Sequence, residues 1–167
     1  MGKFKKKKEF PILKKESIFK GRAIRLEKLL LKAPDGRLFD RELIQHPGAA
    51  VAIPVLPGEK FVLVYQHRIA AGGWLLEFPA GTLEAGEAPL ACAKREIIEE
   101  TGFQAKKWKK LVSFYPAPGI STEFMHIFLA SDLVPAAITA SCGSLARTRP
   151  GRRTIARRGR YSWATRF

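Results

Sequence analysis

The sequence predicts an α/β protein, with mixed strands around one or two helices and an antiparallel strand section in front of them. Short apolar runs recur between turn signals from Ile24 to Ala130, as strands do. One stretch, Gly81 to Phe103, carries helical spacing instead: Leu90, Ala93, Ile97 and Thr101 recur at i, i+3, i+7 and i+11. An apolar strand, Trp74 to Phe78, and a loop bracketed by Gly81 and Gly86 lead directly into it. At 167 residues the chain has room for one domain with a sizeable core.

Taken in order, residues 1–15 read as a flexible basic arm holding Lys3 and Lys5 to Lys8. This start has the charge of a signal-peptide n-region, but Pro11 to Ser17 follows where an apolar core is needed. Lys6 stands where a myristoylation signal wants Ser or Thr. Residues 16–45 form an N-terminal strand section. In it Ile18 to Leu31 alternates in part, Ala33-Pro34-Asp35-Gly36 is a turn, and Arg37 to Gln45 returns. His46-Pro47-Gly48 breaks that strand.

From there to residue 136 the strands and the helix make the main domain. Ala49 to Leu56 is a buried strand, Pro57-Gly58 a turn, and Phe61 to Gln66 another strand, joined through Ala70 to Gly73 to Trp74–Glu77. After the helix come a strand from Ala105 to Phe114, a rigid loop from Tyr115 to Gly119, and a strand from Glu123 to Ala130. No apolar run reaches the length of a membrane span, so no membrane partner is expected. Cys92 and Cys142 have neither ligand-like nor disulfide-framework spacing, which points to a reducing cytoplasm.

The net charge of +15 divides unevenly. Residues 137–167 hold eight Arg and no Lys, Asp or Glu, so about half the excess lies in this tail. It has no helical apolar period and changes abruptly from Lys to Arg. It therefore reads as an atypical segment, an out-of-frame reading of the gene's end or an engineered or degenerate terminus. An arginine-rich RNA-binding arm is the rival. Too little apolar surface is available to offset ordering, so it is expected to be poorly ordered or weakly helical.

The acidic helix carries the chemistry. Glu96 and Glu100 lie one turn apart on one face, and Glu99 is nearby. Like charges at this spacing cost a helix roughly 0.2–0.5 kcal/mol per pair. A cluster kept despite that repulsion suits a cation. An all-oxygen donor set selects a hard ion, Mg²⁺ or Mn²⁺. Pro89 is tolerated in the first turn, Gly102 can close the helix in a left-handed conformation, and Arg95 and Glu99 form an i, i+4 pair.

Gly81, Glu87, Arg95, Glu96, Ile97, Glu99, Glu100 and Gly102 fit the pattern Gly, five residues, Glu, seven residues, Arg-Glu-Ile-x-Glu-Glu-x-Gly. This resembles the Nudix box; Phe103 departs from it where Ile, Leu or Val is usual. Within the Nudix hydrolases, residues 17–135 are similar to the ADP-ribose pyrophosphatase group. The likeness rests on Phe39 to Gly48, Gln66-His67-Arg68, Trp74 to Gly81, and Ser113 to Gly119.

The resemblance implies a three-layer α/β/α sandwich with a mixed sheet, and metal-dependent hydrolysis of ADP-ribose to AMP and ribose 5-phosphate. It implies Glu96, Glu100 and the Ala80 carbonyl as metal ligands, Glu99 as a weaker ligand or orienting residue, and Arg95 as the holder of a carboxylate. Arg68 would contact the diphosphate, while Arg41 and Glu42 would hold the adenosine end from the partner of a homodimer. Pro118 marks ADP-ribose, and Glu77 and Glu123 are further site residues. His46 and His67 read as turn and surface histidines. The group's usual base, a loop glutamate, has no counterpart near Ser144 to Thr148, and no carboxylate side chain follows Asp132. Two alternatives stand: a pyrophosphatase for another nucleotide sugar, and a non-catalytic nucleotide- or RNA-binding protein on the same scaffold.

Overall fold

The computed structural model describes residues 10–58 and 60–136, and the backbone of residues 152–158 and 163–164. Two compact units result, one of residues 10–47 with 115–123, the other of residues 48–114 with 124–136 and the C-terminal strands.

The first unit is an antiparallel sheet in the order β1-β2-β3, made of Ile12–Lys20, Arg25–Lys32 and Leu38–Gln45. The stretch expected to run unbroken from Ile18 to Leu31 is divided by a turn in which the Gly21 N–H donates to the Ile24 carbonyl at 2.9 Å. β1 also starts at Ile12, inside the segment expected to be a flexible arm. Backbone pairing from Ile12↔Leu31 to Lys20↔Arg25 orders it, although all nine of its residues are exposed. At the next turn the Gly36 N–H donates to the Ala33 carbonyl with Gly36 at φ 89°, which glycine adopts without a Cβ penalty. The loop of residues 115–123 belongs to this unit. The Ile44 N–H donates to the Ile120 carbonyl at 2.8 Å, and the Thr122 N–H to the Ile44 carbonyl at 2.9 Å.

The second unit holds a mixed sheet of eight strands. They are β4 (Ala49–Leu56), β5 (Lys60–Arg68), β6 (Gly73–Glu77), β7 (Ala80–Thr82), β8 (Phe103–Phe114), β9 (Met125–Pro135), β10 (Arg152–Arg158) and β11 (Trp163–Ala164). The main path is β11-β10-β5-β4-β9-β8, with β6 on β5 and β7 on β4. Only β4 and β9 run parallel, from Ala49↔Met125 to Pro54↔Ala130. A 3₁₀ turn, Ile69–Ala71, joins β5 to β6. The α/β class with a mixed sheet is as predicted from the sequence and consistent with the Nudix α/β/α sandwich.

The one α-helix among the described residues, α1, spans Pro89–Thr101. Pro89 sits in its first turn, where a missing N–H costs nothing, and Gly102 ends it at φ 71° with its N–H on the Ile98 carbonyl. Cys92, Ala93 and Ile97 are fully buried against Ala50, Ala52 and Ala130 of β4 and β9. Alanines on the sheet let the helix approach closely, and Trp108 and Phe128 fill the space beside it.

The tail departs from expectation. Residues 152–158 are a strand, paired with β5 from Arg152↔Gln66 to Arg158↔Lys60. A ladder is made by backbone N–H and C=O groups, which a segment poor in apolar side chains supplies as well as any other. The expectations for residues 1–9, 137–151, 159–162 and 165–167 lie outside the described residues.

Candidate active site

The site of the second unit is built where β7 runs beneath α1. β7 pairs with β4 through Ala50↔Gly81 and Val51↔Ala80. Gly81 has no Cβ for a reason: an atom there would overlap the carboxylate of Glu96. The Glu96 side chain therefore lies directly on the strand backbone. One turn on, Glu100 accepts the Ala80 N–H at 3.2 Å. Both carboxylates are buried, with 6% and 9% exposure. The helix thus buries positions 92, 93, 96, 97 and 100, so its acidic stripe adjoins its apolar stripe instead of facing solvent.

Arg95 offsets the cost of those buried charges. It donates Nε and Nη2 to the two oxygens of Glu87 at 3.0 Å each, and Nη1 to Glu96 Oε1 at 2.7 Å. Glu99, which sequence spacing paired with Arg95, is 3.5 Å away and half exposed. Glu87 is itself fixed, since its Oε2 accepts the Glu84 N–H at 3.0 Å. The hydrogen bonds from Arg95 hold its carboxyl down at about 2, below the usual 4.5. Glu87, and then Glu96, in turn push the Arg95 guanidinium further toward its charged form.

Cys92 lies among these groups, outside the set that the sequence pattern picks out. Its thiol sits 3.5 Å from both the Gly81 carbonyl and Arg95 Nη2. Burial, then the charge of Glu87, pushes it up to about 12, so it stays a neutral packing group. No sequence signal marks it, because it occupies a variable position of the motif.

Arg68 ends β5 beside these carboxylates. Its Nε donates to both oxygens of Glu77 at 2.9 Å, across the β5–β6 pair. Glu77 first, and also the charge of Glu100, raise the Arg68 guanidinium's affinity for its proton. The second unit thus brings together Arg68, Glu77, Ala80, Glu87, Arg95, Glu96, Glu99 and Glu100.

Among the described residues, no three Asp, Glu, His or Cys side chains converge as a ready-made metal cage. Glu96 and Glu100 still fit a hard divalent ion. They are buried carboxylates one turn apart, and the missing Cβ at Gly81 admits one of them to the backbone. Oxygens of backbone and solvent complete such sites for Mg²⁺, which keeps several waters.

The remaining expected residues belong to the first unit. Arg41 and Glu42 are exposed on β3, with the Arg41 guanidinium 4.7 Å from the Phe39 ring centre. Pro118 lies in the loop that β3 anchors. Glu123 is 4.0 Å from His46 Nδ1, while the His46 N–H donates to Thr122 Oγ1 at 2.8 Å. His46 is therefore a partly buried loop residue, and His67 packs edge-on against Trp74.

Residues 45–142 match the family model described as NUDIX domain. The chain belongs to the Nudix family. Over 119 residues this Nudix chain is 42% identical to an ADP-ribose pyrophosphatase of Bacillus subtilis (strain 168), a match covering 71% of this chain and 64% of that protein. Over 121 residues it is 38% identical to a methanol dehydrogenase activator of Bacillus methanolicus, covering 72% and 65%. The chain thus spans less than two thirds of the length of these curated relatives. The Nudix fold is shared with the crystal structure of an ADP compounds hydrolase, at a TM-score of 0.75 and 22% identity over 92% of this chain and 80% of that one. Nudix hydrolases generally use divalent metal ions. No helix among the described residues is long and apolar enough to cross a membrane.

Proposed function

We propose that this Nudix protein hydrolyses the diphosphate of ADP-ribose to AMP and ribose 5-phosphate with Mg²⁺ or Mn²⁺. The observation that carries this reading is the pair of buried carboxylates, Glu96 and Glu100, seated against β7 beside the Arg68 guanidinium. A divalent ion there would neutralise the diphosphate and polarise the attacking water.

Glu96, Glu100 and the Ala80 carbonyl would hold the ion, with Glu99 as a weaker ligand or an orienting group. Arg95 positions Glu96 through its grip on Glu87. Arg68 presents a planar guanidinium fork, which suits phosphate oxygens, and Glu77 sets its direction. Arg41 and Glu42 of a second copy would hold the adenosine end, Pro118 would mark the preference for ADP-ribose, and the working protein would be a cytoplasmic homodimer.

Residues 133–167 hold no Asp or Glu side chain, and without a positioned base the attacking water would give its proton to solvent. A positioned base is worth about 10²–10⁴-fold, and turnover should fall short of acidic-loop relatives by that order. The departure of residues 137–167 from the group's acidic-loop pattern leaves a second reading, a nucleotide binder without turnover.

Mg²⁺-dependent release of AMP from ADP-ribose, run beside a panel of other nucleotide sugars, tests the proposal. Release abolished by chelator supports it. Binding of ADP-ribose with no AMP formed would leave the non-catalytic reading, and faster cleavage of another nucleotide sugar would reassign the substrate.

A further inference from the structure

One end of the first unit's sheet opens into a cavity of about 310 Å³, lined by Lys20, Arg22, Arg25, Gln45 and His46. None of these belongs to the carboxylate site of the second unit. Register explains why the cations meet here. Lys20 is opposite Arg25, and Arg25 is opposite Gln45, so one row across β1, β2 and β3 holds all three. Directly opposed residues send their side chains to one face, with Cβ atoms about 4.5–5.5 Å apart. Arg22 stands in the turn between β1 and β2, which is closed by packing. A Cβ on Gly21 would meet the Phe19 ring at 2.8 Å and the Ile24 carbonyl at 3.2 Å.

Two cations directly opposed on a sheet are unfavourable unless an anion answers them. Elsewhere in this unit the cations are answered. Lys14, Lys28 and Arg37 pair with Glu16, Asp40 and Asp35. Among the described residues, no carboxylate pairs with Lys20, Arg22 or Arg25. Glu27, two residues from Arg25 on the same face, is engaged by Gln45, whose Nε2 donates to it at 2.9 Å. Glu123 lies 4.0 Å from His46 Nδ1. All three cations are exposed, so their charged ends are within reach of a ligand.

We infer that this cavity binds a phosphate group, carried by inorganic phosphate or by a small phosphate monoester. Arg22 and Arg25 supply planar guanidinium forks that match phosphate oxygens, and Lys20 supplies a compact third charge. The volume lies at the lower bound of small-molecule sites, about 300 Å³, which leaves room for a sugar beside the phosphate.

The test is calorimetry on the full-length, metal-free protein, titrated with inorganic phosphate and with ribose 5-phosphate at fixed ionic strength. Lys20→Gln, Arg22→Gln and Arg25→Gln should each weaken binding by about fivefold or more, and Arg25→Lys should lose less than Arg25→Gln. Two controls should stay within about twofold. Arg37→Gln removes a charge at the turn on the opposite end of the same sheet, and Arg68→Gln removes one from the second unit. Sulfate should compete with phosphate, whereas chloride at the same ionic strength should not. Tighter binding of ribose 5-phosphate assigns a monoester, and equal binding assigns the phosphate group alone.

Loss of binding in Arg68→Gln without loss in Arg25→Gln would move the phosphate to the second unit and overturn the inference. Equal losses in Arg37→Gln and Arg25→Gln, or chloride displacing phosphate as well as sulfate does, would reduce the effect to net charge and overturn it. Failure of both ligands to bind at millimolar concentration would also overturn it.

Discussion

Arg95 grips Glu87 with two hydrogen bonds of 3.0 Å and turns a third N–H toward Glu96 at 2.7 Å. The pair joins the loop before α1 to the face of the helix, so one guanidinium fixes the loop and one candidate metal ligand together. Bidentate geometry of this kind is worth more than an ordinary exposed ion pair.

The first prediction concerns acid stability. Glu87 titrates at about 2 in the folded protein against an ordinary 4.5. A depressed folded pKa contributes stability above pH 4.5, and that contribution is lost as pH falls from 4.5 toward 2. Its size is about 1–2 kcal/mol after solvent screening. Urea melts of the parent should weaken across this window, and Glu87→Gln should be less stable at neutral pH with a shallower acid limb. Parallel acid limbs in the two proteins would mean that the Glu87–Arg95 pair contributes nothing.

Gly81→Ala separates site from scaffold. The new Cβ would overlap the Glu96 side chain from its carboxylate back to Cγ, so that side chain must move to another rotamer, and the fold should survive with a loss of about 1–3 kcal/mol. The carboxylate would leave its seat, and Mg²⁺ affinity should fall at least tenfold. Titration of the metal and thermal melting measure the two effects. Unchanged metal affinity would remove Glu96 from the ion's coordination.

Glu100→Gln keeps the shape and hydrogen-bonding capacity of a buried side chain while deleting its charge. Turnover of ADP-ribose should drop by orders of magnitude with melting temperature nearly unchanged. Wild-type turnover at saturating Mg²⁺ would show that Glu100 holds no ion.

The proposed homodimer has a surface to use. β1 is exposed along its whole length, with Leu13 at 53% and Phe19 at 57% exposure. Apolar side chains in this density on one strand mark an interaction surface more often than a solvated one. Sedimentation velocity at micromolar concentration should give a dimer, and Phe19→Glu should shift it toward monomer. A parent that sediments as a fully active monomer would refute the assignment.

Much of the helix was legible beforehand. Its apolar spacing, Pro89 at the start and Gly102 at the stop are local features of period and backbone geometry, and the structure has them at those residues. The acid stripe was legible for the same reason, because i and i+4 share a face in any α-helix. The mixed sheet could be read only as a class. Strand existence follows from short-range pattern, but the parallel pairing of β4 with β9 joins segments far apart in the chain.

The sequence by itself determined the α/β class, the helix, its ends, and which glutamates share its face. Tertiary structure alone decided how these residues are used. Arg95 chose Glu87 over the i+4 partner Glu99, because the loop folds back and offers two oxygens to one planar guanidinium. Glu96 reached the strand backbone because Gly81 came to lie under it. Arg68 met Glu77 only through the register of β5 with β6. The tail's place was the least legible. Composition reports side chains, and its arginines argue against burial, whereas β10 is held by backbone groups pairing along β5.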